Sequence, residues 1–168
     1  MPVPTAVHQQ APLEGLLPGA HWYAVSRNDA RLYALYRVHY SAEKNARYRR
    51  PGNQNCVAAG SPLCLLTVAG DAAFVWLKNT AERYDHQHGV CCTLFRNEGP
   101  VRSSDLIREA EQLAWARWPG ERLFTYVDAS RVASPNPGFC FKAAGWRRVG
   151  VSGRGLHLLE KAPPGAAG

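Results

Sequence analysis

Hydrophobic and polar positions follow two periods along the chain, which predict strands and helices in a mixed order. Short apolar runs predict strands at 21–25, 63–68, 73–77, 90–95, 123–127, 146–151 and 156–159. Helical spacing of apolar residues predicts helices over 29–41 and 103–118, and Asn136-Pro137 with Gly145 predicts a short third helix. The helix between strands 90–95 and 123–127 predicts a parallel crossover, whereas the hairpins predict antiparallel pairs. The pattern therefore predicts an α/β (α+β) fold with a mixed central sheet flanked by helices.

Turn and capping residues mark the boundaries of these elements. Gly70-Asp71 lies between the second and third strands and predicts a hairpin. Ser26, three residues before Asp29, predicts a capping-box start for the first helix. Ser103 or Ser104 predicts the cap of the long helix, which Pro119-Gly120 ends.

A chain of 168 residues with 46% hydrophobic content fits one globular domain. We place this domain at 19–161, with a loosely ordered N-terminal segment at 1–18 and a flexible tail at 162–168, both rich in Pro, Gly and Ala. The apolar runs fall far short of the roughly 20 residues that a membrane helix needs. We therefore expect no membrane partner.

The five cysteines predict thiols rather than a disulfide framework or a structural zinc site. Their number is odd, and no two of them form a C-x-x-C pair. Cys64, Cys91 and Cys92 lie in apolar runs, which predicts buried core thiols. A reducing cytoplasm is the simplest compartment for such a chain.

An excess of basic residues favours polyanionic partners. Twenty Lys and Arg against thirteen Asp and Glu give a formal charge of +7. The densest cluster follows the first helix, and it predicts a nucleic-acid-binding strip in which Tyr48 stacks on an extruded base. A solvated charged surface is the alternative interpretation. The cluster contains Lys44, Arg47, Arg49 and Arg50, and the surface extends to Arg147, Arg148 and Arg154.

The segment between strand 90–95 and the long helix predicts an anion site. Free amides at a helix N-terminus carry partial positive charge and hold phosphate oxygens. Pro100 lacks such an amide. An ordinary capped helix is the alternative. The residues available to a phosphate are Arg96, Arg102, Ser103 and Ser104.

Candidate reactive groups lie at the ends of two predicted elements. His39 and Tyr40 are next to each other near the end of the first helix, and Asp128 follows strand 123–127, where open α/β sheets place ligand sites. An imidazole with an unperturbed pKa of about 6.5 suits a general base for an amine. A core or capping histidine and a turn-forming aspartate are the alternatives. His86 and His88 are interpreted as surface residues.

The order of elements and the segment from Arg96 to Val101 resemble the GNAT acyltransferase superfamily. In that family the fourth strand leads into a pyrophosphate-binding loop, Gln/Arg-x-x-Gly-x-Gly/Ala, and then a long helix. Arg96 and Gly99 match this pattern, whereas Pro100 and Val101 depart from it. The resemblance implies acetyl-CoA or another phosphate-bearing acyl donor. It would be held by Arg96, Gly99, Arg102, Ser103, Ser104 and Asn136.

A narrower set of residues is similar to the Mom family of phage DNA-modification enzymes. These residues are His39-Tyr40-Ser41, Arg96, Ser104, Asp128 and 136–146, which come in the family's order over residues 30 to 150. The similarity implies modification of the exocyclic amine of adenine in double-stranded DNA, an anti-restriction activity in the cytoplasm of a bacterial host. It places His39, Tyr40, Asp128 and Ser104 at the catalytic centre. Iron is a further expectation, with His39, Tyr40 and Asp128 as possible ligands.

One departure leaves the catalytic acid open. Mom-like proteins have a tyrosine on the short last helix, where this chain reads Gly138-Phe139-Cys140-Phe141. Tyr40 or Cys140 takes the role of the acid, or the leaving group needs no protonation. Two other functions also stay open. They are an acetyl-CoA-dependent N-acetyltransferase of a small amine or protein, and a non-catalytic nucleic-acid-binding module on the same scaffold.

Overall fold

The computed structural model describes residues 20–39, 56–132 and 134–166, which form one mixed α+β domain. All seven predicted strands and all three predicted helices are present in these ranges. In chain order they are β1 (Trp22–Val25), α1 (Ala30–Val38), β2 (Ser61–Thr67), β3 (Ala72–Lys78), β4 (Val90–Asn97), α2 (Ser103–Arg117), β5 (Leu123–Val127), α3 (Phe139–Ala143), β6 (Arg147–Val151) and β7 (His157–Lys161).

The seven strands form one sheet in the order β1-β2-β3-β4-β5-β7-β6. Strands β4 and β5 run parallel, and every other neighbouring pair in the described residues is antiparallel. Helix α2 is the crossover that a parallel pair requires. The mixed sheet and the Gly70-Asp71 hairpin are therefore confirmed.

Alternation of side chains along the strands gives the sheet two apolar faces. Phe74 and Trp76 point to the side on which α2 and α3 pack, called the α2 face below. Val75 and Leu77 point to the opposite side, the α1 face, where they meet Leu32 of α1. The predicted core cysteines, Cys64, Cys91 and Cys92, are buried. None of the helices within the described ranges is long and apolar enough to cross a membrane.

Three buried tryptophans fix α2 on the sheet. Trp22 Nε1 donates to the Leu106 carbonyl at 2.8 Å, and Trp76 Nε1 donates to the Ala110 carbonyl at 2.9 Å. Trp146 Nε1 donates to the Glu111 carboxylate at 2.6 Å. A buried indole N–H needs an acceptor, so each bond sets both the height and the rotation of the helix. The start of α2 is thereby held next to the end of β4.

The helix starts differ from the predictions at two places. Asp29 is the N-cap of α1, because its carboxylate accepts from the Arg31 amide at 2.9 Å, so the predicted capping box at Ser26 was wrong. Arg102 is the N-cap of α2, and no side chain caps that end. Ser103 and Ser104 already lie within the helix, so neither is the predicted cap.

Helix α3 begins later than Asn136-Pro137 predicted. Its N-cap is Gly138, whose φ of 74° is a left-handed conformation that favours glycine. A Cβ at this position would lie 2.5 Å from Leu159 Cδ1, so close packing against β7 also requires glycine. The predicted stop at Gly145 is confirmed, with φ 95° directly after the last helical turn.

Candidate functional site

A cleft opens where the parallel strands β4 and β5 separate. Their pairing ends at Cys92 with Thr125, although β4 continues to Asn97. The separation begins at a β-bulge on β4, where Thr93 is left unpaired between the partners of Val75 and Trp76. Beyond the bulge, the edge of β4 that faces β5 does not pair with it. The cleft between the strands has a volume of about 630 Å³, which is the size of a ligand site.

The lining of the cleft is apolar at its floor and charged at its rim. The charged groups are Arg83, Asp128, Arg131 and Arg154. The lining also draws on both faces of the sheet, since Cys91 and Tyr126 belong to the α1 face and Phe141 to the α2 face. The cleft therefore lies between the ends of the two strands, with lining residues from both faces of the sheet.

His39 lines this cleft directly after the last residue of α1. Its amide donates to the Tyr36 carbonyl at 2.9 Å, and its imidazole hydrogen-bonds to the Phe95 carbonyl. Only 9% of the residue is exposed. Burial, together with the positive charge of Arg96, lowers the pKa of His39 from 6.5 to about 4. The imidazole is therefore neutral at pH 7, and its pKa lies below the ordinary value that the sequence argument assumed.

This pKa makes the stability of the protein depend on pH. The unfolded chain takes up a proton at His39 below about pH 6.5, whereas the native state excludes it until about pH 4. The unfolded state therefore binds more protons in this window, and the stability that His39 contributes at neutral pH is lost as the pH falls through it. We expect urea unfolding at pH 7 and pH 4.5 to show a smaller decline for His39→Gln than for the wild type. Equal declines in the two proteins would contradict this.

Asp128 follows the last residue of β5, which is the position along the strand that the sequence predicted, and it lines the same cleft. Its carboxylate accepts from the Ser130 hydroxyl at 2.6 Å and the Ser130 amide at 3.0 Å, and it pairs with Arg131 at 3.4 Å. These hydrogen bonds, that from the Ser130 hydroxyl foremost, lower the pKa of the carboxyl. Asp128 thus forms the turn after β5 and at the same time presents a negative charge at the cleft.

The predicted anion loop is partly occupied by its own contacts. The Glu98 amide donates to the Asp71 carbonyl at 2.7 Å, and the Gly99 amide donates to Asn97 Oδ1 at 3.0 Å. Gly99 also lies against the Asp71 carboxylate, because a Cβ on it would be 2.3 Å from Oδ2. Pro100 has no amide hydrogen. The loop around Gly99 therefore has fewer free amide donors for a phosphate than the loop pattern implies.

The head of α2 keeps free donors beyond that loop. Ser103 and Ser104 lie in the first turn, and among the described residues their amides meet no acceptor. The hydroxyl of Ser103 accepts from Asn97 Nδ2 at 3.0 Å. Ser104 is buried and is not part of the cleft lining, so the structure does not bring it together with His39 and Asp128.

Two other predicted donor-binding residues lie away from the head of α2. Arg96 Nη1 donates to the Val38 carbonyl at 3.0 Å, and its guanidinium pairs with Glu98, so Arg96 lies beside His39. Asn136 Oδ1 accepts from Lys142 Nζ at 2.8 Å at the start of α3. Arg102 is the N-cap residue of α2.

The predicted nucleic-acid-binding residues separate into two groups. Arg147 and Arg148 are exposed on the edge strand β6, and their partners Glu160 and Leu159 place them on opposite faces. The others lie outside the described residues, as does Tyr40 of the predicted catalytic group. They are Lys44, Arg47, Tyr48, Arg49 and Arg50.

One polar network at the cleft was not predicted from the sequence, where His86 and His88 were the residues noted in the connection between β3 and β4. Two guanidinium nitrogens of Arg83 bind the Asp85 carboxylate at 2.8 and 2.7 Å, and the Tyr126 hydroxyl donates to the same carboxylate at 2.8 Å. Arg83 holds the pKa of Asp85 well below its usual range. Burial and the bond to Asp85 raise the pKa of Tyr126 to about 12. The alternation of Tyr126 with Thr125 and Val127 was the one signal available.

A metal site finds no support among residues 20–39, 56–132 and 134–166, which contain no group of three or more His, Cys, Asp or Glu side chains that could hold an ion. Of the iron ligands implied by the resemblance, His39 and Asp128 are described and Tyr40 is not.

The fold and the cleft define a class: a mixed α+β domain with a ligand-sized gap at the carboxyl ends of a parallel strand pair. The chain matches no family model, no curated protein and no solved structure.

Proposed function

We propose that this protein is a GNAT-type transferase that moves an acyl-derived group to the exocyclic amine of a base in DNA, as Mom-like proteins do. The observation that carries the proposal is the cleft between β4 and β5, which has His39 and Asp128 on its lining and is followed along the chain by the head of α2. A cleft of about 630 Å³ whose lining comes from both faces of the sheet is large enough to hold the reacting ends of two substrates.

The donor end of the proposal rests on the head of α2. The amides of Ser103 and Ser104 and the side chain of Arg102 would hold a phosphate there. A carrier such as acetyl-CoA supplies the activated acyl group. Since Glu98 and Gly99 have already used their amides, fewer donors remain than a pyrophosphate would use.

The acceptor end rests on His39 and Asp128. A base amine is a poor nucleophile, so attack requires firm positioning and loss of a proton as the new N–C bond forms. His39 is neutral at pH 7 and can accept that proton, while Asp128 supplies a fixed negative charge nearby. The Cys140 thiol also lines the cleft, but burial raises its pKa and makes it a weaker acid than an ordinary thiol, so a leaving thiolate would depart without a proton from it.

Charge argues against a small cationic amine as the acceptor. Arg83, Arg131 and Arg154 line the cleft, where Asp85 pairs with Arg83 and Asp128 with Arg131, so three guanidiniums stand against two carboxylates. Such a rim repels an ammonium group and attracts a phosphate backbone.

A second candidate, a non-catalytic nucleic-acid-binding module, is favoured by the occupied loop at Glu98 and Gly99. Titration calorimetry with acetyl-CoA and the full chain separates the two. The transferase is expected to bind the donor with measurable heat and to lose affinity on Arg102→Ala, whereas Arg108→Ala, on the same helix, leaves it unchanged. Absence of heat with acetyl-CoA, together with unmodified nucleosides in DNA from expressing cells, would favour the binding module.

A further inference from the structure

A turn beside the cleft presents one aromatic ring entirely to solvent. The His86 amide donates to the Arg83 carbonyl at 3.0 Å, which closes a β-turn with Tyr84 and Asp85 at its centre. Arg83 and Asp85 point towards the sheet, where they contact Phe124 and Tyr126. Tyr84, between them, points away and is 101% exposed.

This turn is held in one conformation. Asp85 accepts from Arg83, from the Tyr126 hydroxyl and from the Gln87 amide at 3.1 Å. His86 has φ 57°, a left-handed conformation that is strained for a residue other than glycine and persists only where its surroundings impose it. A rigid turn that exposes an aromatic ring to solvent can present that ring for stacking against a planar ligand.

Next to the turn, arginines cover the α1 face of β5, β7 and β6. The ring of Phe124 is fully buried between two guanidiniums, with Arg83 Cζ 5.2 Å and Arg122 Cζ 4.9 Å from its centroid. Glu160 accepts from both Arg122 and Arg147, so one carboxylate faces two positive charges. Arg147 is 78% exposed. We call Arg83, Arg122 and Arg147 the arginine face.

The arginine face leads into the cleft. Arg83 and Tyr126 belong to the network of the turn and also line the cleft on the side where His39 lies. Tyr84 therefore directly follows Arg83, which lines the cleft, and Arg147 lies farther out on the same face, across β7.

We propose that Tyr84 and the arginine face form the nucleic-acid-binding surface, in which the Tyr84 ring stacks on a base and Arg147 contacts a backbone phosphate. The inference rests on the proposed function and deepens it, because it locates the DNA relative to the cleft. Guanidiniums fit phosphate oxygens in a bidentate manner, and stacking on an aromatic ring is how proteins hold unpaired bases. An exposed ring and an exposed arginine on one rigid surface supply both contacts.

The test measures DNA binding by fluorescence anisotropy in the absence of a donor, with a fluorescein-labelled duplex of two helical turns that carries one unpaired adenine. Because a stacked base is worth on the order of 1–3 kcal/mol, Tyr84→Ala is expected to weaken binding about tenfold, while Tyr84→Trp keeps the affinity. Arg147→Ala is expected to weaken binding severalfold and to lower the salt slope by about 1. The control Arg108→Ala, on the α2 layer, should bind as the wild type does.

Wild-type affinity in Tyr84→Ala, an equal loss in Arg108→Ala and Arg147→Ala, or no DNA binding by the wild type would overturn the inference. Since both Tyr84 and Arg147 are exposed, a folding defect does not confuse the result. Modified DNA together with unaffected binding by the Tyr84 and Arg147 variants would refute this surface and leave the transferase standing. DNA binding that depends on Tyr84 and Arg147, together with unmodified DNA, would support this surface and refute the transferase.

Discussion

Replacing Glu111 by alanine is expected to lower the free energy of unfolding by about 4 kcal/mol, the cost of breaking a buried charge pair. The Glu111 side chain is 2% exposed, and its carboxylate binds Lys161 Nζ at 2.7 Å and Trp146 Nε1 at 2.6 Å. The alanine variant leaves the Trp146 indole N–H without its acceptor, and it leaves the Lys161 ammonium without its carboxylate partner, bonded only to the Ala144 carbonyl. The Glu111 carboxylate thus joins α2 to β7 through Lys161 and to the residue before β6 through Trp146. Urea unfolding followed by circular dichroism measures the loss.

Two variants on the same network and helix serve as controls. Glu111→Gln keeps an oxygen that can accept from Trp146, so we expect a smaller loss. Glu109→Ala removes a partly exposed pair with His21 and is expected to cost less than about 1 kcal/mol. A Glu111→Ala protein as stable as Glu109→Ala would contradict the role assigned to the buried pair.

Replacing His39 by alanine is expected to abolish DNA modification while the protein stays folded. Loss of a positioned proton acceptor typically slows a reaction by about a hundredfold to ten-thousandfold. The imidazole lines the cleft in its neutral form, and no other described histidine does so. The measurement is the rate at which modified nucleoside forms in DNA incubated with purified protein and donor.

His39→Gln separates proton transfer from positioning. Its side-chain amide can still donate to the Phe95 carbonyl, so it should restore the local structure but not the rate. Because the His39 pKa is about 4, the wild-type rate should stay level as the pH falls from 7 to 5.5 instead of halving near 6.5. Wild-type levels of modified nucleoside in His39→Ala would count against the catalytic assignment.

Much of the fold could be predicted from the sequence because the periodic spacing of apolar residues in the strands and in α2 is strong. In β3 every second residue faces α2 and the others face α1. The long apolar stripe of α2 predicted a helix between β4 and β5, and such a helix makes these two strands parallel. The helix starts were harder, since Ser26 and Asp29 both satisfy the local chemistry of a cap. In the structure the Asp29 carboxylate is the cap, because it accepts from the Arg31 amide.

The candidate site was predictable only in part. His39 and Asp128 lie at ends of elements, and the structure brings both to one cleft. The place where β4 and β5 separate depends on the bulge at Thr93, which no local pattern marks. The bond between Asp85 and Tyr126 joins residues 41 positions apart, so it could not be read from spacing. The lowered pKa of His39 likewise arises from burial beside Arg96.

The most direct test of the proposed transfer is nucleoside mass analysis of DNA from cells that express the protein. We predict a deoxyadenosine of increased mass in cells with the wild type and its absence in cells with His39→Ala. Unmodified nucleosides in the presence of well-folded wild-type protein, or the same adduct in both strains, would contradict the account.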